Sequence, residues 1–356
     1  MRTIEFVKNF GMLIPGYIAS RKIPNGTFEE AVQKYIIRNV QKKMGVIKRY
    51  DIVYRIIRSY KDHFDSINKN LYFKLSNEDR RIMVRWFLKE YYNIDTATEE
   101  EKNRIDEAFD KVISLYQENN ENFIKIPFRG KNIKYLKNCE LRNGNTKEDR
   151  LMNYYDVAHA FFLTEYEKEG FNPGNGETIL DCGAAYGDTL LLFRTLYPDS
   201  FIISFEAGDK TIKIAKENYL LNDIQNAVVE KAFLYSDSAE HIKNTDTWKI
   251  EDGLTGDKAE KIVTTSIDDY VEEHKVDNIG LIKFDIEGAE QEALKGAIRT
   301  IKTQKPLLYI PIYHLPSDIY KIPEFLASLN LPMKLTIKWT EKLVWGVDCV
   351  LFVRFV

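Results

Sequence analysis

The sequence predicts an α/β protein: a mostly parallel sheet with helices on both faces, preceded by a mainly helical N-terminal domain. Three observations carry that expectation. The first 120 residues place apolar side chains at helical spacing and lack strand alternation. After Asn172-Pro173-Gly174, short β-rich runs alternate with amphipathic segments, as in strands joined by crossover helices. The last two strand-like runs are joined only by residues 340–348, which suffices for an antiparallel return but not for a crossover helix. A chain of 356 residues is long enough for two domains. The change of texture sets them at 1–149 and 150–356.

In order, Thr27–Tyr60 carries Phe28, Val32, Tyr35, Ile36, Val40, Ile47, Val53, Ile56 and Ile57 at helical spacing. Ser76 opens another helix, with Glu78 and Asp79 in its first turn. Thr98–Gln117 forms a third, and Ile124–Leu136 reads as a hairpin around Phe128–Asn132. Asn143-Gly144-Asn145 is a break. Lys147–Lys168 is helical, and its stripe of Tyr154, Tyr155, Phe161, Phe162 and Tyr166 reads as core. Strands are then expected at Thr178–Cys182, Phe201–Glu206, Ala227–Phe233, Lys261–Thr264, Ile279–Asp285, Pro306–Ile312, Leu335–Trp339 and Cys349–Val356. Helices are expected at Thr189–Leu196, Lys210–Leu221, Ser266–His274, Ala289–Thr303 and Ser317–Leu329. Ser266 is placed to cap the third of these five.

Composition narrows the class. Hydrophobic residues at 44% supply a large core, and no apolar run approaches the roughly 20 residues of a membrane span. The mildly apolar start, Ile4–Ala19, is interrupted by Glu5 and Lys8 and reads as a helix or partner-packing segment. Cys139, Cys182 and Cys349 are scattered, which argues against a disulfide framework or a zinc site and fits a cytoplasmic protein. Residues 1–150 hold 30 basic and 21 acidic side chains, a net +9, against 21 and 33, a net −12, in the rest. Most of the positive excess precedes Asp62. It reads either as a solvated helical face or as a surface for an anionic partner, such as a phosphorylated glycan carrier or a membrane surface.

Four motifs carry chemistry. Ile179-Leu180-Asp181-Cys182-Gly183-Ala184-Ala185-Tyr186-Gly187-Asp188 is a buried strand, a glycine turn and a helix start. Glycines let the backbone approach a neighbour closely, and a helix N-terminus favours an anionic group. A dinucleotide pyrophosphate would call for GxGxxG, whereas two flanking carboxylates suit a ligand bearing an amino group and a sulfonium. Phe205-Glu206 ends the next strand, 25 residues after Asp181, where an acid accepts ribose hydroxyls. In Lys283-Phe284-Asp285-Ile286-Glu287-Gly288-Ala289-Glu290, Asp285 falls at the ligand-binding edge of the central strand. Lys283 lies inside that strand as a candidate ion-pair partner. Glu287 and Glu290 read as helix-start acids or, with Asp285, as a Mg²⁺ cage. Tyr313-His314 ends the following strand at the same edge, and imidazole can take a proton from an alcohol.

Together these motifs resemble the FkbM family of S-adenosylmethionine-dependent methyltransferases. The resemblance extends to Thr265-Ser266-Ile267-Asp268-Asp269-Tyr270 and Leu294-Lys295-Gly296-Ala297 and covers about residues 150–356. It implies a Rossmann-like methyltransferase sheet of seven strands with the last pair antiparallel, and methylation of a hydroxyl on a sugar or a secondary metabolite. The cofactor would lie against Asp181, Gly183, Ala184, Tyr186, Gly187, Asp188, Glu206 and Ala207, the last replacing the family's commoner Pro. His314 and Asp285 are the candidate bases. Residues 1–149 lie outside the resemblance and are a candidate region for substrate, partner or homo-oligomer contacts.

The expected activity is therefore O-methyl transfer to a hydroxyl of a surface glycan, its lipid-linked precursor or a secondary metabolite. Other classes fit less well. A nucleic-acid methyltransferase is disfavoured by the acidic second half and the lack of an Asn/Asp-Pro-Pro-Tyr motif. A nicotinamide oxidoreductase is disfavoured by the missing third glycine. A non-catalytic interaction protein on the same fold remains a third reading.

Overall fold

The computed structural model describes residues 26–36, 55–56, 58–118, 121–137, 154–245, 250–341 and 347–356. Expectations for Ile4–Ala19, Asn143–Asn145 and the middle of Thr27–Tyr60 lie outside these residues. The chain divides into two compact units, Met1–Val84 and Arg85–Val356.

The described residues of the first unit are mainly helical. Helix α1 (Phe28–Tyr35) is capped by the Thr27 side chain. Helix α2 (Phe64–Asn70), which the periodicity did not single out, packs beside it. Asn68 accepts from the Phe28 N–H at 2.8 Å and donates to Glu29 at 2.7 Å, while the Phe28 ring meets those of Phe64 and Tyr72 at tilted angles. Helix α3 (Asn77–Tyr92) follows, its start fixed by the Ser76 hydroxyl accepting from the Asp79 N–H.

In the second unit, helix α4 (Glu99–Gln117) begins with a capping box in which Thr98 and Glu101 satisfy each other's backbone donors. The hairpin β1 (Phe123–Phe128) and β2 (Lys131–Leu136) is antiparallel. Both elements share one apolar core with the main sheet: Ile105, Phe109, Ile124 and Tyr135 belong to the same cluster as Leu190, Ile202 and Phe352. The compact unit therefore starts at Arg85, although the change of sequence texture comes near residue 150. Of the helix expected over Lys147–Lys168, the described part ends in a π-helical turn, Ala158–Phe162, and Thr164 has a positive φ.

The strands of the main sheet are β3 (Thr178–Cys182), β4 (Ile202–Glu206), β5 (Ala227–Lys231), β9 (Ile279–Phe284), β10 (Leu307–Pro311), β11 (Met333–Glu341) and β12 (Val347–Phe355). Their order is β11-β12-β10-β9-β3-β4-β5. The pairs β10/β9, β9/β3, β3/β4 and β4/β5 are parallel, and β12 runs antiparallel to both neighbours. Strand order reverses at β3, so the edge between β3 and β9 is a topological switch point where ligands bind. Helix α5 (Asp188–Leu196) follows β3, and α6 (Asp209–Leu221) follows β4.

A smaller sheet of β6 (Phe233–Leu234), β7 (Glu240–Asn244) and β8 (Ala259–Thr265) stands apart from the main one. The sequence predicted β8 and hid β7 in a polar stretch. Helix α7 (Ile267–Glu273) follows, capped by Ser266 as expected. The single helix expected at Ala289–Thr303 is two, α8 (Glu290–Lys295) and α9 (Ile298–Gln304). Gly296 breaks it: a Cβ there would lie 2.2 Å from the Tyr235 carbonyl oxygen. Helix α10 (Asp318–Ser328) leads to β11. None of the described helices is long and apolar enough to cross a membrane.

Gly296→Ala should therefore destabilise the protein by about 1–3 kcal/mol through overpacking. Urea unfolding checks this, and an unchanged midpoint would show that Tyr235 yields without cost.

Candidate functional site

The site grows from one row of side chains across three strands. Asp181 on β3 sits opposite Ser204 on β4 and Lys283 on β9. The Ser204 hydroxyl donates to Asp181 at 2.9 Å, and the Lys283 ammonium lies 3.2 Å away on the other side. Thr189, in the first turn of α5, donates to both carboxylate oxygens at 2.9 Å. Asp181 is fully buried and enclosed by these partners. It anchors the turn from beneath, rather than facing the cofactor as the motif alone suggested.

Lys283 connects this anchor to the ligand edge. It donates to the Gly183 carbonyl at 2.7 Å and lies 3.6 Å from Asp285. Burial pulls its pKa down, but Asp181, Asp285 and Asp188 hold it above the ordinary value. The Tyr166 hydroxyl donates to Asp285 at 2.7 Å, and burial together with Asp285 keeps that phenol protonated. Tyr166 is indeed core, as its stripe implied, yet it also touches the site.

The glycines permit close approach, but to the protein's own backbone. Gly183 and Gly187 both have positive φ. A Cβ on Gly183 would lie 1.8 Å from the Asp285 carbonyl oxygen, and one on Gly187 would lie 3.3 Å from Ala215 Cα. Ala184 is fully buried and its N–H donates to the Phe205 carbonyl. Tyr186 is buried, and its carbonyl accepts from Asn218. These residues form the turn's scaffold.

Glu206 lies at the end of β4 where the ribose acid was expected. Its carboxylate already accepts from the Ala185 N–H at 2.9 Å, and from the Gly208 N–H and the Thr211 hydroxyl at 2.7 Å each. A carboxylate has about four acceptor positions, so one remains, on Oε2. Ala207 links it to the start of α6.

Carboxyl groups crowd the mouth. Burial first, and then Asp181 and Asp285, push Asp188 up to about 7 against the pull of Lys283. Asp156, which the sequence did not single out, is pushed well above its ordinary value by burial and by Asp188, Asp285 and Glu287.

His314, just past β10, faces the same mouth. Its Nδ1 is 2.8 Å from the buried Glu290, which also accepts from the Ile286 N–H. Its Nε2 lies 3.6 Å from Asp285 and 3.7 Å from Glu287. Burial lowers the ring's pKa, but the Glu290 hydrogen bond and the three carboxylate charges outweigh it, leaving about 9. Asp285, Glu287 and Glu290 are thus spread around an imidazole. Glu287 is 91% exposed. Among the described residues, the group with ligand spacing is His159, Glu165 and Asp348.

Sheet order and site define the class: a Rossmann-like methyltransferase fold. Residues 181–331 match the model of the methyltransferase FkbM domain. The chain resembles the structure of methyltransferase FkbM from Methylobacillus flagellatus KT at 18% identity and a TM-score of 0.41, over 70% of this chain and 59% of that one. It thus spans less than two thirds of that protein. It is also similar to Aeropyrum pernix fibrillarin with natively bound S-adenosylmethionine, at 14% identity and TM-score 0.35, over 67% and 83% of the two chains. An rRNA methylase from Streptococcus thermophilus matches at 13% identity and TM-score 0.34, over 52% and 89%. No protein of curated function matches the sequence.

Because Asp181 and Lys283 are both fully enclosed, Lys283→Met should cost about 3–5 kcal/mol, the usual loss when one partner of a buried pair is removed. Adding Asp181→Asn to that variant should recover part of the loss. Chemical denaturation of both proteins provides the check, and equal stability of wild type and Lys283→Met would refute the pair's role.

Proposed function

We propose that this chain is an O-methyltransferase that uses S-adenosylmethionine. The observation that carries the reading is the crowd of carboxyls, Asp156, Asp188, Asp285 and Glu287, at the switch-point edge beside Lys283. Such a mouth attracts a cationic ligand and repels a pyrophosphate. That favours a sulfonium cofactor over a nicotinamide dinucleotide. When bound, the cofactor supplies an electrophilic methyl group. Asp188 and the first amides of α5 would hold its methionine end, and the free position on Glu206 would take a ribose hydroxyl.

An alcohol is a weak nucleophile, so a base at the mouth aids attack. His314 fills that role: Nε2 takes the hydroxyl proton, while Glu290 holds Nδ1–H and fixes the ring. In the free protein the ring is protonated at neutrality, since its pKa is about 9. A cation bound beside it lowers that value and frees Nε2 for the proton. Asp285 is the competing base, but it already accepts from Tyr166. The acceptor is a hydroxyl of a surface glycan, its lipid-linked precursor or a secondary metabolite. The basic segment before Asp62 supports an anionic carrier.

Titration calorimetry should detect S-adenosylmethionine binding and no comparable affinity for NADH. The reverse order would overturn the cofactor assignment. Transfer of labelled methyl from the cofactor to fractionated glycans, lipids and RNA then identifies the acceptor, and label in RNA alone would overturn the hydroxyl-of-glycan reading.

Affinity for the cofactor should depend on pH through Asp188. A cation binds the ionised carboxylate, so Asp188 makes affinity rise up to about tenfold per pH unit below about 7, and a further rise up to about 9 comes from the proton that binding displaces from His314. In Asp188→Asn the part of the slope that belongs to the carboxylate should vanish. His314→Ala should leave cofactor binding intact and lower turnover at least ~100-fold. With cofactor saturating, it should also remove the rise of turnover with pH. Retention of both rate and pH profile would transfer the base role to Asp285.

A further inference from the structure

A second cluster adjoins the site through Glu165, the residue before Tyr166. His159 projects from the π-helical turn Ala158–Phe162, Glu165 follows three residues after that turn, and Asp348 stands near the start of β12. Their exposures are 2%, 6% and 1%, so three ionisable side chains share one interior space. His159 Nδ1 lies 3.5 Å from Glu165 Oε2 and 3.5 Å from Asp348 Oδ2. All three ligand atoms fall within 4.8 Å of one another.

These separations are long for hydrogen bonds, whose N···O distances run to about 3.2 Å. They match donors around a small metal ion. With zinc–nitrogen and zinc–oxygen bonds of about 2.0–2.1 Å, neighbouring ligands of a tetrahedron lie about 3.3 Å apart. Glu165 adds an independent sign: its second oxygen, Oε1, is buried and has no hydrogen-bond partner among the described residues. The nearby Lys338 does not serve it. That ammonium donates to the Leu163 and Glu167 carbonyls and to the Thr164 hydroxyl.

We infer that His159, Glu165 and Asp348 bind one divalent transition-metal ion, best matched by Zn²⁺, in a structural site that adjoins the proposed methyl-transfer mouth. One imidazole and two carboxylates suit zinc, whereas Mg²⁺ keeps an octahedron of oxygens and several waters. A water takes the fourth position, and the Oε1 atom of Glu165 is available to accept its proton. Two buried carboxylates meet one dication, so the interior charge is balanced. The ion ties the turn before Tyr166 to β12 and so steadies the phenol that donates to Asp285. Scattered cysteines gave no hint of such a site, because none of its ligands is a cysteine.

The test uses the full, untagged chain stripped with a chelator and titrated with Co²⁺, then Zn²⁺. One equivalent of Co²⁺ should give the visible absorption of a tetrahedral site, and Zn²⁺ should displace it and raise the melting temperature. Metal content of His159→Ala and Asp348→Asn should fall to background. Glu165→Gln, which keeps shape and volume, should bind at least about tenfold more weakly while retaining the wild-type circular dichroism. It decides the matter if the other variants do not fold. Absence of Co²⁺ absorption in the wild-type chain overturns the site, as does stoichiometric metal that persists unchanged in Glu165→Gln.

Discussion

The ion pair between Lys283 and Asp181 is the constraint on which the site depends. Both groups are fully buried, and a charge in that setting is tolerable only when its partners stay fixed. Asp181 is fixed by Thr189, Ser204 and Lys283; Lys283 by Asp181, Asp285 and the Gly183 carbonyl. The network therefore sets the glycine turn, the start of α5 and the position of Asp285 together. None of these can shift without stranding a charge, which is why the mouth is already shaped before any ligand arrives.

Most of the sheet was legible because its strands are short β-rich runs bounded by Gly, Pro and Asp, and its helices carry readable caps such as Thr98 and Ser266. The motifs also fall at the switch-point edge that the strand order defines. What was not legible depends on contacts distant in sequence. Asp181 looks like a ligand residue until Ser204 and Lys283 are seen to enclose it. Ser204 left one clue, as the sole polar side chain within Ile202–Phe205. Tyr166 left none, because a core tyrosine and one donating to a carboxylate have the same periodicity. Gly296 reads as a helix residue until the Tyr235 carbonyl is found against it.

His314 and Asp188 show how one field acts oppositely on two kinds of group. The negative mouth holds the imidazole protonated and the carboxyl partly so, up to about 9 and about 7. Both conditions relax when a cation enters: the carboxylate ionises to meet it and the ring gives up its proton. In the proposed reaction, loading the cofactor thus also prepares the base.

The antiparallel pair at the sheet's edge has a consequence for biosynthesis. β12 lies between β10 and β11 although it is made after both. Until it emerges, β10 presents an open edge and β11 has no hydrogen-bonded neighbour. The nascent chain must therefore carry an unpaired apolar strand past the point where the methyl-transfer motifs are already translated, a window in which edge-to-edge association between chains competes with folding.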